Sequence, residues 1–87
     1  MSFEIYYDKQ PEKFLSKSDV HIAERLMNKI ETALSENPVP QNVKTIVGAH
    51  GVFRIRIGDY RALYRVDYMS GKIIVFKLDK RESVYEK

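Results

Sequence analysis

The stretch Phe53-Arg54-Ile55-Arg56-Ile57-Gly58-Asp59-Tyr60-Arg61-Ala62-Leu63-Tyr64-Arg65 decides how this chain folds. Gly58-Asp59 has the residue order of a two-residue hairpin turn, and the residues on either side alternate with the period of a strand. So short a turn fixes the register: Ile57 faces Tyr60, Arg56 faces Arg61, Ile55 faces Ala62, Arg54 faces Leu63 and Phe53 faces Tyr64. One face then collects Phe53, Ile55, Ile57, Tyr60, Ala62, Tyr64 and Val66, a set suited to packing beneath helices. The other collects Arg54, Arg56, Arg61 and Arg65 with Leu63. Slipping the pairing by one residue would bury the arginines.

Arg56 opposite Arg61 is the informative pair. Like charges directly across a ladder are destabilising, by up to about 1 kcal/mol. A bound phosphate reverses that sign, because each guanidinium can give two charge-assisted hydrogen bonds to phosphate oxygens. The bland alternative is a solvated face whose arginines pair with Asp67, Asp79 or helix carboxylates. Solvated faces usually mix signs, and this one has its acid, Asp59, in the turn. An anionic partner, RNA above all, is the expectation.

Outward from the hairpin, Phe3 to Tyr7 alternates as a first strand. Asp8 is placed to cap a short helix with Pro11 in its first turn, ending near Lys17. Ser18 is expected to cap a second helix, whose buried stripe is Val20, Ala23, Met27, Ile30 and Leu34. Asn37-Pro38-Val39-Pro40 stops it. The periodicity then turns strand-like at Thr45–Val47, Val52–Ile57, Tyr60–Tyr68 and Lys72–Leu78, joined by connections too short for parallel crossovers. The expected architecture is α+β: an N-terminal strand, a helical hairpin, then an antiparallel four-stranded run with the helices on one face of the sheet. Ile73-Ile74-Val75-Phe76, apolar on both faces, reads as an interior strand.

Composition bounds what such a chain can do. Its 87 residues suit one domain, 1–87, with a modest core. With no cysteine there is neither a disulfide nor a thiolate, which points to a reducing compartment, the cytoplasm by default. No basic leader precedes an apolar run and no window reaches the ~18 apolar residues of a membrane span, so no membrane role is expected. Net charge is +3, but residues 1–51 carry −1 and residues 52–87 carry +4, and every arginine except Arg25 lies in the second part. The final Asp79-Lys80-Arg81-Glu82-Ser83-Val84-Tyr85-Glu86-Lys87 adds cations and a phenol. There Tyr85 could stack on a base beside a basic groove, or simply patch the core.

Phe53 to Tyr64, together with Lys80-Arg81-Glu82-Ser83-Val84-Tyr85, resembles the RelE/ParE toxin superfamily over essentially the whole chain, with Phe53 where that family usually has Tyr. The resemblance implies the RelE-like fold and the toxin half of a toxin–antitoxin pair. In its RelE branch it implies a ribosome-dependent, metal-independent endoribonuclease that cleaves mRNA by 2′-hydroxyl attack on the adjacent phosphate. It also implies partners: a cognate RelB-like antitoxin, the ribosome and mRNA. Carried over by position, Arg61 and Arg81 grip the scissile phosphate and Tyr85 stacks or helps to move the proton. Arg54 and Arg56 stand at the two basic strand positions as support, with Lys80 as a further RNA contact; Arg65, on the same face but without a counterpart in the family pattern, is an RNA-docking contact at most. Active bacterial members have lysines at those strand positions, and a guanidinium stays protonated and cannot act as base. The general base is unassigned, with Tyr85 and Lys80 as the candidates. Rival readings on the same fold are a ParE-like poison of DNA gyrase and a non-catalytic, decayed RNA-binding toxin.

Other constellations lead nowhere. His21 and His50 lack ligand spacing, so no metal is expected. No Gly-rich nucleotide loop occurs, so no cofactor is expected. Asp8 and Glu12 read as a solvated helix surface beside Lys13. Tyr6, Tyr7 and Tyr68 read as packing at the edge of the core.

Overall fold

A computed structural model describes residues 2–40, 43–45 and 51–80. Its elements in chain order are β1 (Glu4–Tyr7), α1 (Lys9–Lys17), α2 (Val20–Leu34), β2 (Lys44–Thr45), β3 (Val52–Ile57), β4 (Tyr60–Asp67) and β5 (Lys72–Lys80). Asp8 caps α1, its carboxylate accepting from the Lys9 N–H at 3.0 Å. The cap of α2 is Asp19, whose carboxylate accepts from the His21 N–H at 2.8 Å. Ser18, expected in that role, instead closes α1: its hydroxyl donates to the Phe14 carbonyl at 2.8 Å and its N–H to that of Leu15. With two adjacent residues able to cap, the carboxylate takes the N-terminus, where it also meets the positive end of the helix dipole.

The buried side of α2 is Ala23, Leu26, Ile30 and Leu34, with Ile22, Met27 and Ala33 partly buried against it. Val20 is 62% exposed and does not belong to the stripe. At the first turn it points away from the sheet, and Leu26 fills the place that a stripe begun at Val20 leaves out.

The sheet order is β1-β5-β4-β3-β2. β2 through β5 form the expected antiparallel run. β1 adds a fifth strand in parallel beside β5, with Glu4 opposite Lys72 and Tyr7 opposite Val75, so the sheet is mixed. β5 is therefore interior, as its two apolar faces require. Beyond Tyr7 the edge of β5 is taken by a side chain: Gln10 Nε2 donates to the Leu78 carbonyl at 3.0 Å, and the Leu78 N–H donates to Gln10 Oε1 at 2.8 Å. Both helices lie on the face that buries Phe53, Ile55, Ile57, Ala62, Tyr64, Ile73, Val75 and Leu78.

Two tyrosines enter this core differently. The Tyr64 hydroxyl donates to the Pro38 carbonyl at 2.6 Å, tying the sheet to the segment after α2. Burial pushes its pKa far above the ordinary phenol value. The Tyr7 hydroxyl is buried without a hydrogen-bond partner, and burial, with Glu31 nearby, pushes it up to about 12. Tyr6 is exposed on the face away from the helices, while Tyr68, though 64% exposed, meets Phe3 edge-on at 5.9 Å at the rim of the core. No helix among the described residues is long and apolar enough to cross a membrane.

Candidate functional site

The hairpin holds the register expected of it, from Ile57 opposite Tyr60 to Phe53 opposite Tyr64, with Arg56 opposite Arg61. Its turn has a positive φ at Gly58, 59°, and at no other residue of the turn, the pattern of a turn with glycine at its first central position. Packing beneath fixes which face is open. Tyr60 meets Phe14 of α1 edge-on at 6.1 Å, and Phe53 lies 5.6 Å from Tyr64. With these rings held under the helices, the alternate side chains must emerge on the other side.

That open face carries Arg54 and Arg56 from β3 and Arg61 and Arg65 from β4. Lys44 joins them opposite Arg54, and Lys77 opposite Leu63. Arg54 and Arg61 are half-buried and Arg56 and Arg65 exposed. Arg56 and Arg61 are direct cross-strand neighbours, about 5 Å apart at Cα.

Acids on the same face are engaged elsewhere. Asp79, opposite Arg61, pairs with Lys77 at 3.8 Å. Glu4 accepts the Tyr6 hydroxyl at 2.8 Å. Asp67 accepts the Ser70 N–H at 3.3 Å, and hydrogen bonds from Ser70, side chain first and then backbone, hold its carboxyl below the usual range. Among the described residues no carboxylate is within ion-pair reach of Arg54, Arg56, Arg61 or Arg65. The solvated-face alternative, in which Asp67 or Asp79 neutralises them, is not what the chain adopts.

Lys80 ends β5 in register with Tyr60, which sets it on the other face from Arg61. Arg81 and Tyr85 lie outside the described residues, as does His50. Sequence reading missed Lys44 and Lys77. Lys44 was legible only once β2 was paired with β3, and Lys77 reaches this face through an irregularity in β5. A cavity of about 710 Å³ between α2 and β3, lined by His21, Arg25, Lys29, Ile55, Arg56 and Gly58 among others, shares only Arg56 with the arginine face. Guanidinium forks on an open face need no such cavity, because they can bind an extended polyanion without enclosing it.

Comparison with known proteins places these features. The family model for the ParE toxin of type II toxin–antitoxin systems, parDE, matches residues 5–85. A curated protein of Methanocaldococcus jannaschii bearing the name toxin RelE1 is 32% identical over 89 aligned positions, covering 99% of this chain and 98% of its own length. Among solved structures, the archaeal RelE–RelB complex from Pyrococcus horikoshii superposes with a TM-score of 0.75 at 28% identity, over 93% of this chain and 97% of that one. The RelBE2 toxin–antitoxin complex from Mycobacterium tuberculosis gives a TM-score of 0.78 at 23% identity, over 93% and 100%, a likeness of fold.

Proposed function

The chain belongs to the RelE/ParE toxin superfamily as a RelE-type toxin, and from that premise we propose that it is a ribosome-dependent endoribonuclease that cleaves mRNA and so halts translation. The observation that carries this reading is the set of Arg54, Arg56 and Arg61 on one open sheet face with no carboxylate partner among the described residues.

The reaction uses the message's own ribose. Its 2′-oxygen attacks the adjacent phosphorus, a P–O bond forms, and the bond to the 5′-oxygen of the next nucleotide breaks; that oxygen takes a proton from water, leaving a cyclic phosphate and a free 5′-hydroxyl. In the transition state the phosphoryl oxygens gain negative charge. Fixed cations that meet that charge are worth more to catalysis than cations that merely bind the substrate. Arg61 takes that role with Arg81, and Arg54 and Arg56 make the potential around them more positive. Proton removal from the 2′-hydroxyl falls to Tyr85, since a guanidinium does not give up its proton and the register of β5 sets Lys80 on the other face from Arg61. No step in this scheme calls for a metal.

The RelE relatives are known in complex with RelB, and the proposal extends a RelB-like antitoxin to this chain, along with a cytoplasmic place of action. Programmed ribosomes incubated with the purified toxin should yield new mRNA 5′ ends within the decoding site. Intact message with folded protein would overturn the reading. The ParE family match favours a second reading, a poison of DNA gyrase. Double-strand DNA breaks on expression, with message left intact, would select it.

A further inference from the structure

Beside the arginines, the open face carries a second cluster built around two aromatic rings. β4 and β5 slip register between Leu63 and Tyr64: Leu63 faces Lys77 and Tyr64 faces Val75, which leaves Phe76 as the extra residue of a β-bulge. Val75 and Leu78 are both buried, so Phe76 and Lys77 both emerge on the face away from the helices. There the Arg65 guanidinium carbon lies over the Phe76 ring at 5.8 Å from its centroid. One strand further, Lys72 Nζ stands over the Tyr6 ring at 5.1 Å. Half-buried Ile74, opposite Arg65 on one side and Tyr6 on the other, joins the two pairs into one patch.

We propose that Phe76 with Arg65, and Tyr6 with Lys72, form a base-stacking subsite for single-stranded RNA, continuous with the arginines that hold its phosphates. Single-stranded RNA is bound where planar aromatic or guanidinium surfaces adjoin a basic track, because every base offers a π-face and every linkage a charge. Both kinds of surface are present here, on a face whose acids are already engaged. A bulge re-aims a side chain at the cost of ladder regularity. This one turns a phenylalanine away from the core and toward the arginines. Arg61 and Arg65 are four residues apart on one strand, roughly 13 Å. The patch therefore meets a nucleotide other than the one whose phosphate Arg61 holds.

This proposal rests on the RNA-cleaving reading but is tested apart from it. Binding of a fluorescein-labelled, unstructured ten-nucleotide RNA to the purified toxin is followed by anisotropy at low salt, with cleavage on programmed ribosomes measured in parallel. Phe76→Leu should weaken oligonucleotide binding about tenfold, the loss of one stacked base. Phe76→Tyr should bind as wild type, and Arg65→Ala, which removes the guanidinium over the Phe76 ring, should weaken binding similarly to Phe76→Leu. Binding by Phe76→Leu equal to wild type overturns the subsite, whether or not message is cut. So does wild-type binding too weak to measure, or a Phe76→Leu variant that binds RNA normally but loses affinity for an antitoxin. Ring-dependent RNA binding by a wild type that cuts no message supports the subsite and overturns only the nuclease reading.

Discussion

The side-chain amide of Gln10 bonds both backbone groups of Leu78, donating at 3.0 Å and accepting at 2.8 Å, and so continues the edge of β5 past the end of β1. A primary amide can do this because it carries the same donor and acceptor as a peptide unit. Gln10→Ala leaves two strand groups unpaired and should lower the unfolding free energy by about 1–3 kcal/mol. Gln10→Glu, which keeps the acceptor and loses the donor, should fall between. Urea titration measures the first effect, and hydrogen exchange should speed at the Leu78 amide ahead of the rest of β5.

Arg56 and Arg61 repel across the ladder, so removing either should not destabilise the fold. Arg61→Ala is expected to leave unfolding unchanged or to raise its free energy by up to about 1 kcal/mol. Cleavage on ribosomes should fall by about 100- to 1,000-fold, the loss typical of one preorganised transition-state contact. A variant more stable than wild type yet inactive is the signature; a loss of both together would place Arg61 among the structural residues.

Tyr64 and Tyr7 should respond oppositely to loss of their hydroxyls. Tyr64→Phe strands the buried Pro38 carbonyl and should cost about 1–3 kcal/mol. Tyr7→Phe removes a hydroxyl that has no partner and should leave stability unchanged or raise it by about 1 kcal/mol. The folded Tyr7 phenol is pushed up to about 12 against an ordinary value of 10.0. Its contribution is therefore complete below pH 10 and lost as the pH rises toward 12, because the unfolded chain ionises first. Thermal melts from pH 9 to 12 should fall less steeply for Tyr7→Phe than for wild type.

Gly58 holds φ at 59° with open space where a Cβ would stand, so the penalty for a side chain there is one of backbone and not of collision. Gly58→Ala should cost about 1–2 kcal/mol, read from thermal unfolding, with activity retained at temperatures where the variant stays folded.

How much of this was legible follows from range. The hairpin was readable residue by residue, because a two-residue turn and strict alternation are local and leave one register. The helices were readable too, except where two neighbours competed to cap: Ser18 and Asp19 differ by a charge that only helix placement weighs. Long-range features were not readable. Nothing local tells Phe3–Tyr7 to lie parallel to β5, or Gln10 to reach a residue 68 positions away. The bulge at Phe76 was hidden for a related reason. Ile73-Ile74-Val75-Phe76 is apolar throughout, so no alternation marks where the phase slips, and the aromatic half of the open face stayed out of view.

The parallel seam between β1 and β5 bears on how the protein is made. Antiparallel hairpins can zip as soon as their own residues leave the ribosome, but Glu4 to Tyr7 must wait for Lys72 to Val75. The first strand thus remains an unsatisfied edge through nearly all of synthesis, and closing so long a loop is the slow kind of folding step. Assembly of the arginine face and commitment of the amino-terminal strand are separated in time, and a chain released before β5 would carry a ready hairpin on an unfinished sheet.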